Sequence, residues 1–383
     1  MKMKNIIANI TNFIKNETVL SIAAVLAILS SFFIPPDKQY INYVDFRTLA
    51  LLFCLMTVVA GFQKMGVFNL LAENLLNKIH SVKGLAFVLV TLCFFFSMLI
   101  TNDVALIAFV PFSFAVLDKL NGDAKGKNII PIVVMQTVAA NLGSMLTPIG
   151  NPQNLYLHGI SGFSVGEFMM LMLPYTAISF ILITVWTLFI KGGHNISIDF
   201  SDKTYIQGKG KAAVYAVMLA LCLLTVARVI DYRITLLIVI VLTAITDYRL
   251  FAKVDYSLLL TFTTFFIFIG NMGRIPVFNN YMKSIIDGRE CITGILSSQV
   301  ISNVPAALLL SGFTDNIKPL IIGVNLGGLG TLIASMASLI SFKLIGRENK
   351  SLRGRYLLYF TAVNIVFLVI LVGFYILVRG INV

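Results

Sequence analysis

The stretch NLGSMLTPIGNPQNLYL, Asn141 to Leu157, lies inside a run that carries no Asp, Glu, Lys or Arg from Asn128 to Gly166. Two prolines, two glycines and four side-chain amides interrupt it. Gly and Pro are the poorest helix formers, costing about 1 and about 3 kcal/mol against Ala inside a helix. Irregular backbone at membrane depth is tolerated only where it is buried in protein or lines a polar cavity. If its surroundings lie in a bilayer, the stretch reads as a helix broken around a polar site.

The composition places it there. Of 383 residues, 58% are hydrophobic and 12% charged, about half the charge fraction of a soluble domain. The charge-free runs Thr18 to Pro36, Phe168 to Ile190, Pro319 to Phe342 and Tyr356 to Val378 match the roughly 20 residues that a spanning helix needs. The first run is not a signal peptide by pattern: it starts late, ends in Pro35-Pro36 and lacks a small-residue cleavage site. Cys54, Cys93, Cys222 and Cys291 are scattered without metal or disulfide spacing and read as packing residues. His80, His158 and His194 are equally dispersed. With no metal-ligand cluster, Gly-rich phosphate loop or nucleophile motif, nothing points to an enzyme or to a bound cofactor.

The net charge of +12 is a topology signal rather than a nucleic-acid footprint, because Lys and Arg favour the cytoplasmic side of short loops. Nine spans near 18–36, 48–63, 128–150, 168–190, 212–229, 234–247, 256–272, 319–342 and 356–378, with the N-terminus inside, put 20 of the 29 basic residues in the cytoplasm. The loop Lys191 to Lys211 is basic, and the outer loop after Asn151 has no basic residue. The expected location is the cytoplasmic membrane, multi-pass. Two apolar segments remain, Gly84 to Leu117 and Cys291 to Thr314. A continuous helix over the first would be about 50 Å long and overshoot an apolar core of about 30 Å, so each is expected to enter the membrane, turn and return. The turns hold LITNDVAL, with Thr101, Asn102 and Asp103, and VISNVPAAL, with Ser302, Asn303 and Pro305. Thr/Ser-Asn is good N-cap chemistry, and Pro305 suits a first helical turn.

The hairpins belong to a longer repeat. GFQKMGVFN at Gly61 returns loosely as GNMGRIPVFN at Gly270, and after each hairpin a span carries Asn-Leu-Gly, at Asn141 and at Asn325. The expected fold is an all-α polytopic membrane protein: a first inverted repeat over 1–190 with an inward hairpin at 84–117, a linker and connecting span over 191–233, and a second repeat over 234–383 with an outward hairpin at 291–314. Inverted repeats with Gly/Pro-interrupted segments at matching places mark secondary transporters, whose site lies near the midplane.

ITNDVALIAFVP followed by TPIGNPQNL, then SNVPAALLL and GVNLGGLGTLIASMASLI, resembles the ion transporter superfamily, which includes ArsB arsenite pumps, NhaD antiporters, divalent anion/sodium symporters and citrate-transporter-like permeases. The resemblance runs from about Arg47 to the last span. It implies a scaffold and a transport domain, a homodimer, and two opposed hairpins with two broken helices around the site. It also implies that Thr101-Asn102 and Ser302-Asn303 match Ser-Asn-Thr tips that hold substrate and sodium in the anion symporters. The third position departs from that pattern, being Asp103 in one half and Val304 in the other.

The expected substrate or ion contacts are Thr101, Asn102, Asp103, Asn141, Thr147, Gly150, Asn151, Ser302, Asn303, Asn325, Thr331 and Ser335. Half-helix N-termini, amides and hydroxyls there suit a small anion or a hydroxylated metalloid acid. Unwound carbonyls suit a cation, and sodium, if it is the coupling ion, is expected near Asn102 and Asn303; a proton is the other candidate. The partners expected are a small-molecule or ion substrate and the lipid bilayer, with no nucleic acid. The leading reading is an ion-coupled anion or metalloid permease. A sodium/proton antiporter would be favoured by several intramembrane acids, and Asp103 stands alone. A sodium-coupled di- or tricarboxylate symporter is weakened by Asp103 and Val304, and a receptor or scaffold gives no reason for two hairpins.

Overall fold

Among the residues that the computed structural model describes, 17–76, 79, 81–118, 124–190 and 208–379, every regular element is helical. His80, His194, Asn121 and nearly all of the loop Lys191 to Lys211 lie outside them. The first half runs α1 (Thr18–Phe33), α2 (Gln39–Tyr43), α3 (Phe46–Lys64), α4 (Val67–Leu76), α5 (Val82–Ile100), α6 (Asn102–Asp118), α7 (Ala124–Ser144), α8 (Pro152–Ser161) and α9 (Val165–Leu188). The second runs α10 (Lys209–Val226), α11 (Tyr232–Asp247), α12 (Tyr256–Gly273), α13 (Pro276–Ile286), α14 (Glu290–Ile301), α15 (Asn303–Ser311), α16 (Ile317–Leu326), α17 (Met336–Glu348) and α18 (Arg353–Arg379). The chain is thus an all-α polytopic membrane protein. Six segments are long and apolar enough to cross a bilayer, at 46–64, 82–100, 165–188, 232–253, 256–273 and 350–378, and shorter apolar helices lie between them.

Local chemistry sets the helix starts. Asp45 caps α3 by accepting from Thr48 N at 3.0 Å, and Asp255 caps α12 by accepting from Leu258 N at 2.9 Å. Ser164 and Glu167 form a reciprocal capping box at α9. Burial then sorts the spans: 56% of the apolar window is buried in α3 and in α5, against 22% in the segment that starts with α11. The first two therefore face protein, and the last presents most of its surface to lipid.

The expected spans 128–150 and 319–342 each break inside the apolar run. Helix α7 ends at Ser144 and α8 begins at Pro152; α16 ends at Leu326 and α17 begins at Met336. The two apolar hairpins turn at single residues, Thr101 and Ser302, and their arms pack against one another. Their lengths differ: 19 and 17 residues in α5 and α6, 12 and 9 in α14 and α15. Close approach replaces hydrophobic drive between helices in lipid. A Cβ on Gly143 of α7 would overlap the Phe94 carbonyl of α5, so only Gly lets these two backbones meet.

The first spans are packed crosswise. Helix α1 lies against α12, and α10 and α11 lie against α3. At opposite ends of this body, Arg274 after α12 pairs with Asp37 at 2.8 Å, and Lys64 ending α3 pairs with Asp247 ending α11. The same sequence separation relates Asp37 to Asp247, Lys64 to Arg274 and Asp45 to Asp255. This register starts earlier than the Gly61 and Gly270 motifs from which the repeat is legible in the sequence.

Candidate functional site

Both hairpin tips adopt one unusual backbone. Thr101 sits at φ 73°, ψ 151° and Ser302 at φ 72°, ψ 154°, a conformation that non-glycine residues rarely adopt. Each tip is then tied to the broken helix of its own half. The Asn102 N–H donates to the Gly150 carbonyl at 3.0 Å, and the Asn303 N–H to the Ala334 carbonyl at 2.9 Å. Thr147 Oγ1 donates to the Met98 carbonyl at 2.5 Å, and Thr331 Oγ1 to the Gln299 carbonyl at 3.1 Å. Thr147 and Thr331 thus hold the hairpins to the breaks with the hydroxyl hydrogens that they would otherwise offer a ligand.

The breaks also hold each other. Ser335, the N-cap of α17, donates to Asn141 Oδ1 at 2.9 Å, and Asn141 Nδ2 reaches Ser338 Oγ at 3.4 Å. In the other direction Asn151, the N-cap of α8, lies 3.5 Å from Asn325 Oδ1, and Asn325 Nδ2 donates to Asn154 Oδ1 at 2.6 Å. Asn102 Nδ2 joins the first set by donating to Asn141 Oδ1 at 3.1 Å. The amides and hydroxyl at 102, 141, 151, 303, 325 and 335 are only 1% to 4% exposed. A buried amide left unpaired costs about 1–3 kcal/mol, which favours the bonds that Asn102, Asn141, Asn151 and Asn325 make here; Gln153 in the first turn of α8 is buried with both amide atoms unpaired.

Ten of the twelve expected residues take part in these ties, through side chain or main chain; Ser302 Oγ adds a long bond of 3.5 Å to the Ala334 carbonyl. Thr101 and Asp103 face elsewhere. With Asn151 they line a cavity of about 220 Å³ that runs between α3, α6 and α17 to Lys253 and Asp255. The Asp103 N–H donates to Asn102 Oδ1 at 3.0 Å, while Asp103 Oδ1 is buried without a hydrogen-bond partner. Asn154, Ser338, Lys253 and Asp255 were not among the expected residues. The repeat register that relates Asn141 to Asn325 also relates Asn154 to Ser338, and would have found that pair.

Four helices begin at the site, α6, α8, α15 and α17. Each N-terminus carries about half a positive charge, although the N–H groups of Asn102, Asp103, Asn154, Asn303 and Ala337 are already bonded within the protein. Only α6 carries an acid in its first turn, Asp103; α8, α15 and α17 carry none. The arrangement can hold negative or hydroxylated groups at three helix ends and a proton or cation at the fourth. Among the described residues no group of three His, Cys, Asp or Glu could hold a metal ion.

Comparison with known proteins bears on such a site. The sequence profile of the citrate transporter family matches residues 6–319. The chain belongs to the citrate transporter family. It is 33% identical over 356 residues to an uncharacterized transporter of Methanocaldococcus jannaschii, covering 93% of this chain and 95% of that protein. It is 30% identical over 323 residues to the inner membrane protein YbiR of Escherichia coli, covering 82% and 84%. Over a shorter stretch of 141 residues it is 31% identical to the silicon efflux transporter LSI3 of Oryza sativa, covering 37% of this chain and 28% of that protein. Membership makes this chain a multi-pass membrane transporter and not an enzyme, and agrees with the superfamily resemblance read from its motifs.

Proposed function

We propose that this member of the citrate transporter family is an ion-coupled secondary transporter that moves a small anion or a hydroxylated metalloid acid by alternating access. The observation that carries the reading is the meeting of α8, α15 and α17 N-termini, free of acidic first-turn residues, beside one carboxylate with an unpaired oxygen. Helix N-termini bind anions through oriented N–H groups and the dipole. A hydroxylated acid can use the same donors and the amide carbonyls as well. The family description names an organic anion and the rice relative is named for silicon efflux, which brackets this substrate class.

In the same reading Asp103 exchanges the coupling proton or cation, and the chain forms two inverted repeats, 1–190 and 234–383, joined by 191–233, with the N-terminus cytoplasmic and two copies per assembly. A sodium/proton antiporter is the second reading, favoured by the unpaired oxygen of Asp103. The test is thermal stabilisation of the purified protein across arsenite, silicic acid, citrate, succinate, sulfate, sodium and lithium. A ligand at about 100 times its Kd adds about 2.7 kcal/mol to the folded state. Stabilisation by at least one oxyacid or carboxylate is expected. Response to sodium and lithium alone would favour the antiporter.

A further inference from the structure

The two halves share their internal ties, yet they dock differently on the first spans. Helix α8 packs against α3, and α15 against α12. The matching pairs, α17 with α12 and α6 with α3, make little or no contact, and the 220 Å³ cavity occupies the space between them. Access to the site is thus open at the end of α3 that bears Gln63 and closed at the end that bears Asp45. Where α8 docks, a Cβ on Gly159 would sit 3.4 Å from Arg47 Nη1, 3.6 Å from Thr48 Oγ1 and 3.8 Å from Asp45 Oδ2.

One side chain from a separate element closes that end. Arg228, in the turn after α10, donates from Nη2 to the carbonyls of His158 at 3.2 Å and Gly159 at 3.3 Å, and from Nη1 to Gly162 at 3.4 Å. These carbonyls lie in the last turn and C-cap of α8, where a cation is favoured by the helix dipole; that of His158 also accepts from Ser161 Oγ at 3.2 Å. Arg47 completes the contact by donating from Nη2 to Thr225 and Val226 at the end of α10, at 3.1 and 3.3 Å. Arg228 holds a left-handed φ of 63°, costly for a residue with a Cβ. Gly would hold that turn more easily, so the side chain is what the position needs.

We infer that Arg228 is a positioning residue for transport: it clamps α8 onto the α3–α10 body, keeps the Asp45 end of the site closed, and must release for the site to open there. This rests on the alternating-access reading above and goes beyond it by naming the contact that breaks. A ligand-independent equilibrium between two closures moves by the free energy that one closure alone enjoys, and Arg228 contributes to one only.

The test is accessibility on a background without Cys54, Cys93, Cys222 and Cys291, with single cysteines at Thr48→Cys, beneath the clamp, and Met56→Cys, in the open cavity. Arg228→Gly removes the guanidinium and suits the turn, so folding is favoured; Arg228→Lys keeps a charge that can reach fewer carbonyls. With a membrane-impermeant thiol reagent, Arg228→Gly is expected to speed labelling at Thr48→Cys about tenfold from the Asp45 face and to slow it at Met56→Cys from the other. Arg228→Lys should fall between. Opposite changes at the two positions report a shift of state. A rise at both is mere loosening, and no change at either shows a passive cap; each of these overturns the inference. No substrate is needed, so the result is independent of whether any panel member is transported.

Discussion

Set side by side, the halves of this transporter agree where they bond to themselves and differ at the cavity and where they meet the first spans. Thr101 and Ser302 share a backbone, Thr147 and Thr331 tie to equivalent carbonyls, and Asn141 and Asn325 each reach across to the opposite broken helix. Against that stand Asp103 opposite Val304, long hairpin arms opposite short ones, and docking of α8 without docking of α17. On the alternating-access reading, what is shared is the frame that both access states need. What differs is chemistry or the state of the molecule.

The shared lattice is the place for the largest effect. Asn141 Oδ1 accepts from Asn102 Nδ2 and Ser335 Oγ at once, so Asn141→Ala leaves two buried donors unpaired at about 1–3 kcal/mol each. Transport in proteoliposomes is expected to fall at least about 100-fold with a clear drop in melting temperature, and Asn325→Ala should match it. A strong loss in one half beside a mild loss in the other would break the equivalence.

Asp103 sharpens the comparison from the other side, since Val304 holds its place in the second half. An ionised carboxylate at bilayer depth costs about 3 kcal/mol even on a mild scale, which is why such groups serve a pathway or relay. Asn matches Asp in shape, and Asp103 Oδ1 has no partner to lose, so Asp103→Asn should fold and bind. Accumulation against a gradient under an imposed pH or sodium difference should fall by about tenfold or more while exchange at equilibrium persists. Wild-type accumulation would remove Asp103 from the coupling step and place that step elsewhere.

A smaller effect separates Gly143 from Gly327. A Cβ at Gly143 would overlap the Phe94 carbonyl oxygen, while at Gly327 the nearest atoms are Ser298 Oγ at 2.7 Å, Ser298 Cβ at 2.8 Å and the Gly323 carbonyl oxygen at 2.9 Å. The overlap at Gly143 is deeper and falls on main chain, whereas the contacts at Gly327 need smaller shifts. Overpacking costs about 1–3 kcal/mol, so Gly143→Ala belongs at the top of that range and Gly327→Ala at the bottom. Equal shifts on thermal unfolding would show that α7 yields as easily as Ser298.

How much of this was legible in the sequence follows the range of the interactions. The breaks at 145–151 and 327–335 and the turns at Thr101 and Ser302 rest on Gly, Pro and amide chemistry within a few residues, and local pattern exposes them. The crossing of Asn141 to Ser338 and of Asn325 to Asn154 joins residues far apart in the chain, and no periodicity encodes it. Lys253 and Asp255 fall between the expected spans 234–247 and 256–272, and they line the cavity because α12 starts beside α3. Thr147 and Thr331 read as ligand hydroxyls, and the structure spends both on the hairpins.

The smallest effect is at the crosswise ion pairs, Asp37 with Arg274 and Asp247 with Lys64, which are equivalent by register and closed together. Because both are made while α8 and α15 are docked and α17 and α6 are not, the alternating-access reading assigns them to the body against which the rest moves. The Arg274 guanidinium, by its hydrogen bond, holds the Asp37 carboxyl below the usual carboxylate range. A carboxyl depressed on folding stabilises above its unfolded pKa of about 3.9, and that gain is lost as pH falls through the lower folded value. Asp37→Asn should therefore melt slightly below wild type at pH 6–7 and converge with it as pH falls through the lowered folded value. Exposed pairs are weak and screened, so the gap should also close in about 1 M salt, where the Debye length is about 3 Å. Asp37→Asn should leave the labelling of Thr48→Cys and Met56→Cys where it was. If it instead moved those two positions in opposite directions, as Arg228→Gly is expected to do, the ion pairs would be part of the moving contact, and the division between a shared frame and a one-sided clamp would fail.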